Sequence, residues 1–305
     1  MPVSIPYRRE MEFDYGTVDR LSPRIRRVIA ENPSPFTFHG TGTYILGEGR
    51  VAVIDPGPDL PEHVDALRAA LEGEEISHIL ITHCHMDHSP ACRALREFTD
   101  APTHAFGPHG AGRHAAAVGD DHVKIEESAD TDFSPDVCVD HGDVIECDGF
   151  SVECVYTPGH TSNHMCYQLR EERALFTGDH VMGWSTSVIS PPDGDMQDYM
   201  ASLRLLLERD DAVYWPTHGP AITDPKGLVR AFIAHREERE AQILECIDAG
   251  ITHIAEMVPR MYAGLPEFMY PAAGRSVFAA VIHLAQQGLV EAEGPLRAEA
   301  GFRRC

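Results

Sequence analysis

The sequence is poor in positive charge. Against 48 Asp and Glu stand 25 Lys and Arg, a formal net charge of −23 at pH 7. So acidic a surface repels phosphate backbones, which disfavours duplex DNA and anionic membranes as general partners. Also missing is any apolar run near the roughly 18 residues of a membrane span. The opening stretch, MPVSIPYRREMEFDYG, has two arginines but neither an apolar core nor a small-residue cleavage site, so it does not read as a signal peptide. No C-x-x-C pair occurs among the eight cysteines. That disfavours a cysteine-only zinc site and leaves free thiols, several of them small core residues, in a reducing compartment. A cytoplasmic protein is expected. Internal repeats and low-complexity tracts are absent as well.

What is present is ordinary in bulk and unusual in one respect. With 305 residues, 43% hydrophobic and 24% charged, the chain can bury a real core without disulfides. Its length suggests two domains or one large one. The unusual feature is histidine, 18 in all.

The patterning alternates strands and helices. Ile25, Val28 and Ile29 suit an edge strand. Residues 43–46 and 51–54 are β-rich runs joined by Gly47-Glu48-Gly49, a hairpin signal, and the second stops at Asp55-Pro56-Gly57-Pro58. Residues 61–71 have helical spacing, 76–82 form a buried strand, and Ser89-Pro90 opens another helix. Residues 101–135 are loop-rich. A strand meander is expected over 136–178, a helix over 195–208 and a short strand over 212–215. Asp224-Pro225 starts a long helix to 248 whose charged middle, His235-Arg-Glu-Glu-Arg-Glu240, is expected to cross solvent between domains. Helical patterns at 252–261 and 276–287, then a short hairpin at 289–294, complete a winged-helix pattern. The expected domains are 1–223 and 224–305.

The chemistry concentrates in Ile81-Thr82-His83-Cys84-His85-Met86-Asp87-His88, between a buried strand and a helix. Ligands at a strand's carboxyl end lie where sites of layered α/β proteins usually lie. His83 and His85 can face one ion while Asp87 and His88 face another. Three later pieces follow strands in the same way: Thr157-Pro158-Gly159-His160, Thr177-Gly178-Asp179 and Trp215-Pro216-Thr217-His218. Several strand ends delivering N and O ligands to one edge suit a divalent ion such as zinc.

This order of motifs resembles the metallo-β-lactamase-fold superfamily over residues 25–220. The resemblance implies an α/β fold, a four-layer αββα sandwich, with two metals at one sheet edge. It implies that His83, His85 and His160 hold the first metal and that Asp87, His88 and His218 hold the second. Asp179 would bridge them, and Asp55 would orient a ligand histidine. Asp179 stands where many true zinc β-lactamases carry cysteine, which points to the glyoxalase II-like, lactonase and ribonuclease branches. His85, where di-iron flavoproteins carry glutamate, favours two zinc ions over iron. With residues 226–294, the chain is similar to the lactamase-β-2-like branch, which adds a small C-terminal winged helix.

Two such ions lower the pKa of a shared water from about 15.7 toward about 7, so that a nucleophile exists at neutral pH. Asp87 then has a catalytic role beyond ligation, accepting a hydrogen bond that fixes the angle of attack. His164 and Tyr199 are candidates for substrate contact, though Tyr199 also has the spacing of a helix-packing residue beside Met196 and Leu203. His180 is a candidate support for Asp179, and His104, His109, His114 and His122 lie on the long loop. Residues 250–295 hold two basic side chains against four acidic ones, too few cations for a recognition helix. That region is expected to pack on the sandwich, shape the cleft or make a homodimer. The favoured function is hydrolysis of a small acyl compound (thioester, lactone, ester or β-lactam). The alternatives are a phosphodiesterase acting on single-stranded RNA and a non-catalytic metal-binding protein.

Overall fold

The computed structural model describes residues 3–115 and 128–305. Fourteen strands fall into three sheets among these residues. The first contains, in spatial order, β1 (Asp19–Arg20), β2 (Ile25–Ile29), β3 (Gly42–Leu46), β4 (Arg50–Ile54), β5 (Glu75–Leu80), β6 (Thr103–Ala105) and β7 (Val137–Cys138). β1 to β4 pair antiparallel, and β4 to β7 pair parallel. The second is an antiparallel meander of β8 (Val144–Cys147), β9 (Phe150–Tyr156), β10 (Met165–Leu169) and β11 (Ala174–Gly178), with β12 (Val213–Pro216) parallel to β11.

Three apolar seams hold four layers together. The outer face of the first sheet, through Val28, Ile45, Val53 and Ile79, packs on Leu67 of α1 (Pro61–Ala70) and Leu95 of α2 (Cys92–Leu95). Tyr44, Ile54, Leu80, Val152, Tyr167 and Phe176 interdigitate between the sheets. Val155, Cys166, Leu175 and Tyr214 on the second sheet's outer face meet α3 (Met196–Glu208) and α4 (Pro225–Asp248). The architecture is the expected αββα sandwich. The third seam continues without a break into α5 (Ile254–Met261), α6 (Tyr270–Gln286) and the β13 (Val290–Ala292) and β14 (Phe302–Arg304) ribbon. Among the described residues, no helix is long and apolar enough to cross a membrane.

Several expectations need correction. β2 is not an edge strand: it lies between β1 and β3, fully buried, with Arg26 and Arg27 neutralised at 2.7 Å by Glu74 and Asp19. The helix after Ser89-Pro90 is one turn long. The loop-rich stretch contains β6. β7 leaves the meander and joins the first sheet beside β6. α6 starts at Tyr270, ahead of 276, because Pro271 suits a first turn where its missing N–H costs nothing. The wing pairs Val290 with Arg304 and Ala292 with Phe302, so its two strands are not local.

The charged middle of α4 does not cross solvent. Glu238 accepts the Val3 amide, Arg239 donates to the Met261 carbonyl at 2.7 Å, Glu240 pairs with His283 of α6 at 2.6 Å, and Arg236 is buried. Charge alternation along a helix says nothing about which neighbours meet it.

Candidate metal centre

Five strand ends meet at one edge of the sandwich. Asp55 follows β4, Thr82 and His83 follow β5, His160 follows β9, Asp179 follows β11, and Thr217 and His218 follow β12. Two glycines permit the close approach. A Cβ on Gly178, at φ +50°, would stand 2.5 Å from His164 Nε2. One on Gly159, at φ +136°, would stand 2.3 Å from the Tyr199 Cα.

These ends bring together the side chains expected from the sequence. Three overlapping triads form: His83, His85 and His160; Asp87, His88 and His218; and His83, His88 and Asp179. Within each triad the ligand atoms lie within 4.8 Å of one another. His88 Nε2 is 3.5 Å from Asp179 Oδ2 and 3.6 Å from Asp87 Oδ2, and His218 Nε2 is 3.4 Å and 3.1 Å from the same atoms. His160 Nε2 is 4.0 Å from Asp179 Oδ2. Asp87 is part-exposed beside solvent-facing Met86, and the other six are buried.

The rings are oriented from behind. His88 Nδ1 lies 2.9 Å from Asp55 Oδ2, His160 Nδ1 lies 2.7 Å from the Val188 carbonyl, and His218 Nδ1 lies 3.1 Å from the Gly40 carbonyl. Each Nδ1–H donates to an oxygen, a tautomer assigned from the network, and Nε2 is left facing the centre. The Nε2 atoms of His88, His160 and His218 and the Asp179 Oδ1 are buried and make no hydrogen bond. Buried polar atoms left without a bond are costly. A set of imidazole nitrogens and carboxylate oxygens in that condition fits divalent cations, zinc among them.

Asp55 ties three segments together. It accepts from the Thr82 amide at 2.8 Å, the Thr82 hydroxyl at 2.7 Å, the Thr217 hydroxyl at 3.0 Å and His88. His63 stands behind it, with Nε2 3.0 Å from both the Pro56 carbonyl and the Thr43 hydroxyl. Sequence reasoning missed Thr82, Thr217 and His63. The two threonines had a legible sign, since each immediately precedes a histidine of the cluster at a strand end.

Protonation follows the geometry. Burial works against charge on His218, but Asp179 and Asp87 outweigh it and raise its pKa to about 10. His88 is likewise raised, against burial, by Asp87, Asp179 and Asp55. Burial pushes the Asp87 carboxyl up, but His88 and His218 hold it down to about 2. Positive charge is thus favoured at the centre. His83 and His85 are driven the other way, His85 to about 3, by burial first and then by neighbouring histidines.

The remaining candidates stand elsewhere. His164 is fully buried beneath the centre, with Nδ1 3.0 Å from the Thr157 hydroxyl and Nε2 accepting the Asp179 amide at 3.3 Å. Tyr199 is also fully buried, and its hydroxyl donates to the His180 carbonyl at 3.0 Å. Both side chains are enclosed by protein, so neither presents a surface to a cleft. The helix-packing spacing of Tyr199 prevails. His180 packs edge-on against Tyr199. His109 lies 3.7 Å from Asp193, His114 lies 2.8 Å from Asp198, and His104 is in β6. His122 lies outside the described residues.

Residues 37–218, more than half of the chain, match the family model of the metallo-beta-lactamase superfamily. The chain belongs to that superfamily. Residues 254–297 match the beta-lactamase-associated winged helix domain. The beta-lactamase-like protein 2 homolog of Caenorhabditis elegans is 31% identical over 90% of this chain and 88% of its own length. An atrochrysone carboxyl ACP thioesterase of Cryptosporiopsis is 33% identical over 76% of this chain, which spans 65% of that relative. In fold, this superfamily member is similar to a beta-lactamase domain protein from Burkholderia ambifaria, with a TM-score of 0.76 at 16% identity, covering 99% of this chain and 97% of that one.

Proposed function

We propose that this chain is a dinuclear zinc-dependent hydrolase that cleaves the acyl bond of a small compound: a thioester, lactone, ester or β-lactam. The observation that carries the reading is the set of buried Nε2 and carboxylate atoms, without hydrogen bonds, converging from separate strand ends. His83, His85 and His160 would hold one ion, and Asp87, His88 and His218 the other, with Asp179 shared between them. Held there, the pair would supply Lewis-acid activation of water and of the carbonyl under attack. The name of the thioesterase relative supports an acyl substrate, with thioesters first.

The chain's own residues do the rest. Asp55 fixes the His88 ring, and the Val188 and Gly40 carbonyls fix His160 and His218. Asp87 is the part-exposed member of the set. As a carboxylate it is an acceptor, suited to hold a proton of the attacking water. Phe38 and Trp184 stack at 4.8 Å, and Trp184 presses on Gly219 beside His218. That flat apolar wall suits an acyl group. The division at 223/224 and a cytoplasmic setting belong to the same proposal, the latter supported by eight unpaired cysteines.

Zinc-loaded protein assayed on a thioester, a lactone, nitrocefin, bis-p-nitrophenyl phosphate and a labelled single-stranded RNA tests the reading. Turnover of an acyl substrate is expected. Cleavage of the phosphodiesters alone would overturn it.

A further inference from the structure

Arg236 is a cation in the wrong place for a surface helix. It is 4% exposed, and no carboxylate pairs with it among the described residues. Its Nε makes no hydrogen bond, and its guanidinium lies 5.1 Å from the Tyr199 ring centroid. A buried unpaired charge is a poor way to stabilise a core, since an apolar residue of similar size packs there at less cost. The position therefore needs another explanation.

Its hydrogen bond to the main chain supplies that explanation. Arg236 Nη2 donates to the Ser187 carbonyl at 2.6 Å. Ser187 in turn donates its hydroxyl to the Asp179 carbonyl and reaches the His180 carbonyl at 3.2 Å. The next carbonyl, that of Val188, accepts His160 Nδ1. Tyr199, under the guanidinium, donates to the His180 carbonyl from the other side. One side chain of α4 thus holds a two-residue strap that fixes the main chain of Asp179 and the ring of His160.

We propose that Arg236 is a positioning residue for the metal centre, acting through the Ser187–Val188 strap on Asp179 and His160. The inference rests on the reading that those two residues hold metal. Groups one bond removed from ligands typically govern affinity by about 10–100-fold. A loosened strap should weaken retention by that order and change the ligand field.

Cobalt(II) is the probe, titrated into chelator-stripped full-length protein and followed by its visible absorption bands and by competition with a chelator. Arg236→Met is expected to weaken cobalt retention by roughly 10–100-fold and to alter the bands, while Arg236→Lys keeps part of both. Ser187→Ala should reproduce the effect. The Arg236→Met/Ser187→Ala pair should lose little more than either single change, because both cut one path. Glu240→Gln removes the charge from a contact of the same helix with α6 and should leave cobalt retention unchanged. Wild-type affinity and bands in Arg236→Met, or additive losses in the pair, would overturn the proposal. Where Arg236→Met does not fold, Arg236→Lys and Ser187→Ala decide it, and wild-type retention in both would overturn it. Failure of the wild-type protein to bind cobalt or zinc at all would instead overturn the metal reading beneath it.

Discussion

Asp55 takes four donors on its two oxygens while its own backbone sits at φ +47°, in the left-handed region that aspartate tolerates. Substituting Asp55→Asn turns one acceptor into a donor facing other donors. Metal affinity is expected to fall by about 10–100-fold, read by chelator competition, and an unchanged affinity would refute its orienting role. Asp87 differs because it is part-exposed, whereas the other six of the cluster are buried. Asp87→Asn is expected to lower turnover by about 10²–10⁴-fold while metal held by His83, His85 and His160 is retained. Equal loss of that metal and of turnover would make Asp87 a ligand alone. The clustered histidines and aspartates were legible because H-x-H-x-D-H and three strand-end residues share one pattern. Their supports were not, since the Gly40 and Val188 carbonyls belong to the backbone and carry no sign in the sequence.

At the scale of elements, α4 joins the sandwich to the winged helix. Phe232 is fully buried in the apolar seam that also contains Tyr214, Leu203, Val277 and Phe302. Phe232→Ala is expected to cost about 3–5 kcal/mol in urea unfolding. Because the seam is unbroken, both halves should unfold in one transition, and two separated transitions would contradict that packing. The start of α4 was legible at Asp224, which accepts the Gly227 amide at 3.0 Å; Asp195, expected as the first residue of α3, instead caps it by accepting the Asp198 amide at 2.9 Å. β7 and β13 were legible as strands, but their partners were not. Hydrophobic period identifies a strand, while the parallel pairing of His104 with Val137 is a long-range choice made by packing. The charged stretch of α4 misled for a similar reason, since its partners are distant in sequence.

For the molecule as a whole, the histidines set a pH profile. In metal-free protein, burial lowers His63 to about 4 and His85, His180 and His235 to about 3. Unfolded rings take up a proton near pH 6.5 that these folded rings refuse. Their contribution is therefore present above 6.5 and lost as pH falls toward 3–4. His218, raised to about 10, contributes below 6.5 and loses that contribution as pH climbs toward 10. More rings act in the first sense, so urea midpoints of the stripped protein should peak near pH 6.5 and fall more steeply on the acid side. A profile that rises on acidification would contradict this. The most direct test of the account is elemental analysis of protein purified without chelator. About two zinc ions per chain are expected, falling to about one in His218→Ala. Absence of stoichiometric metal from the wild-type protein would contradict the account at its centre.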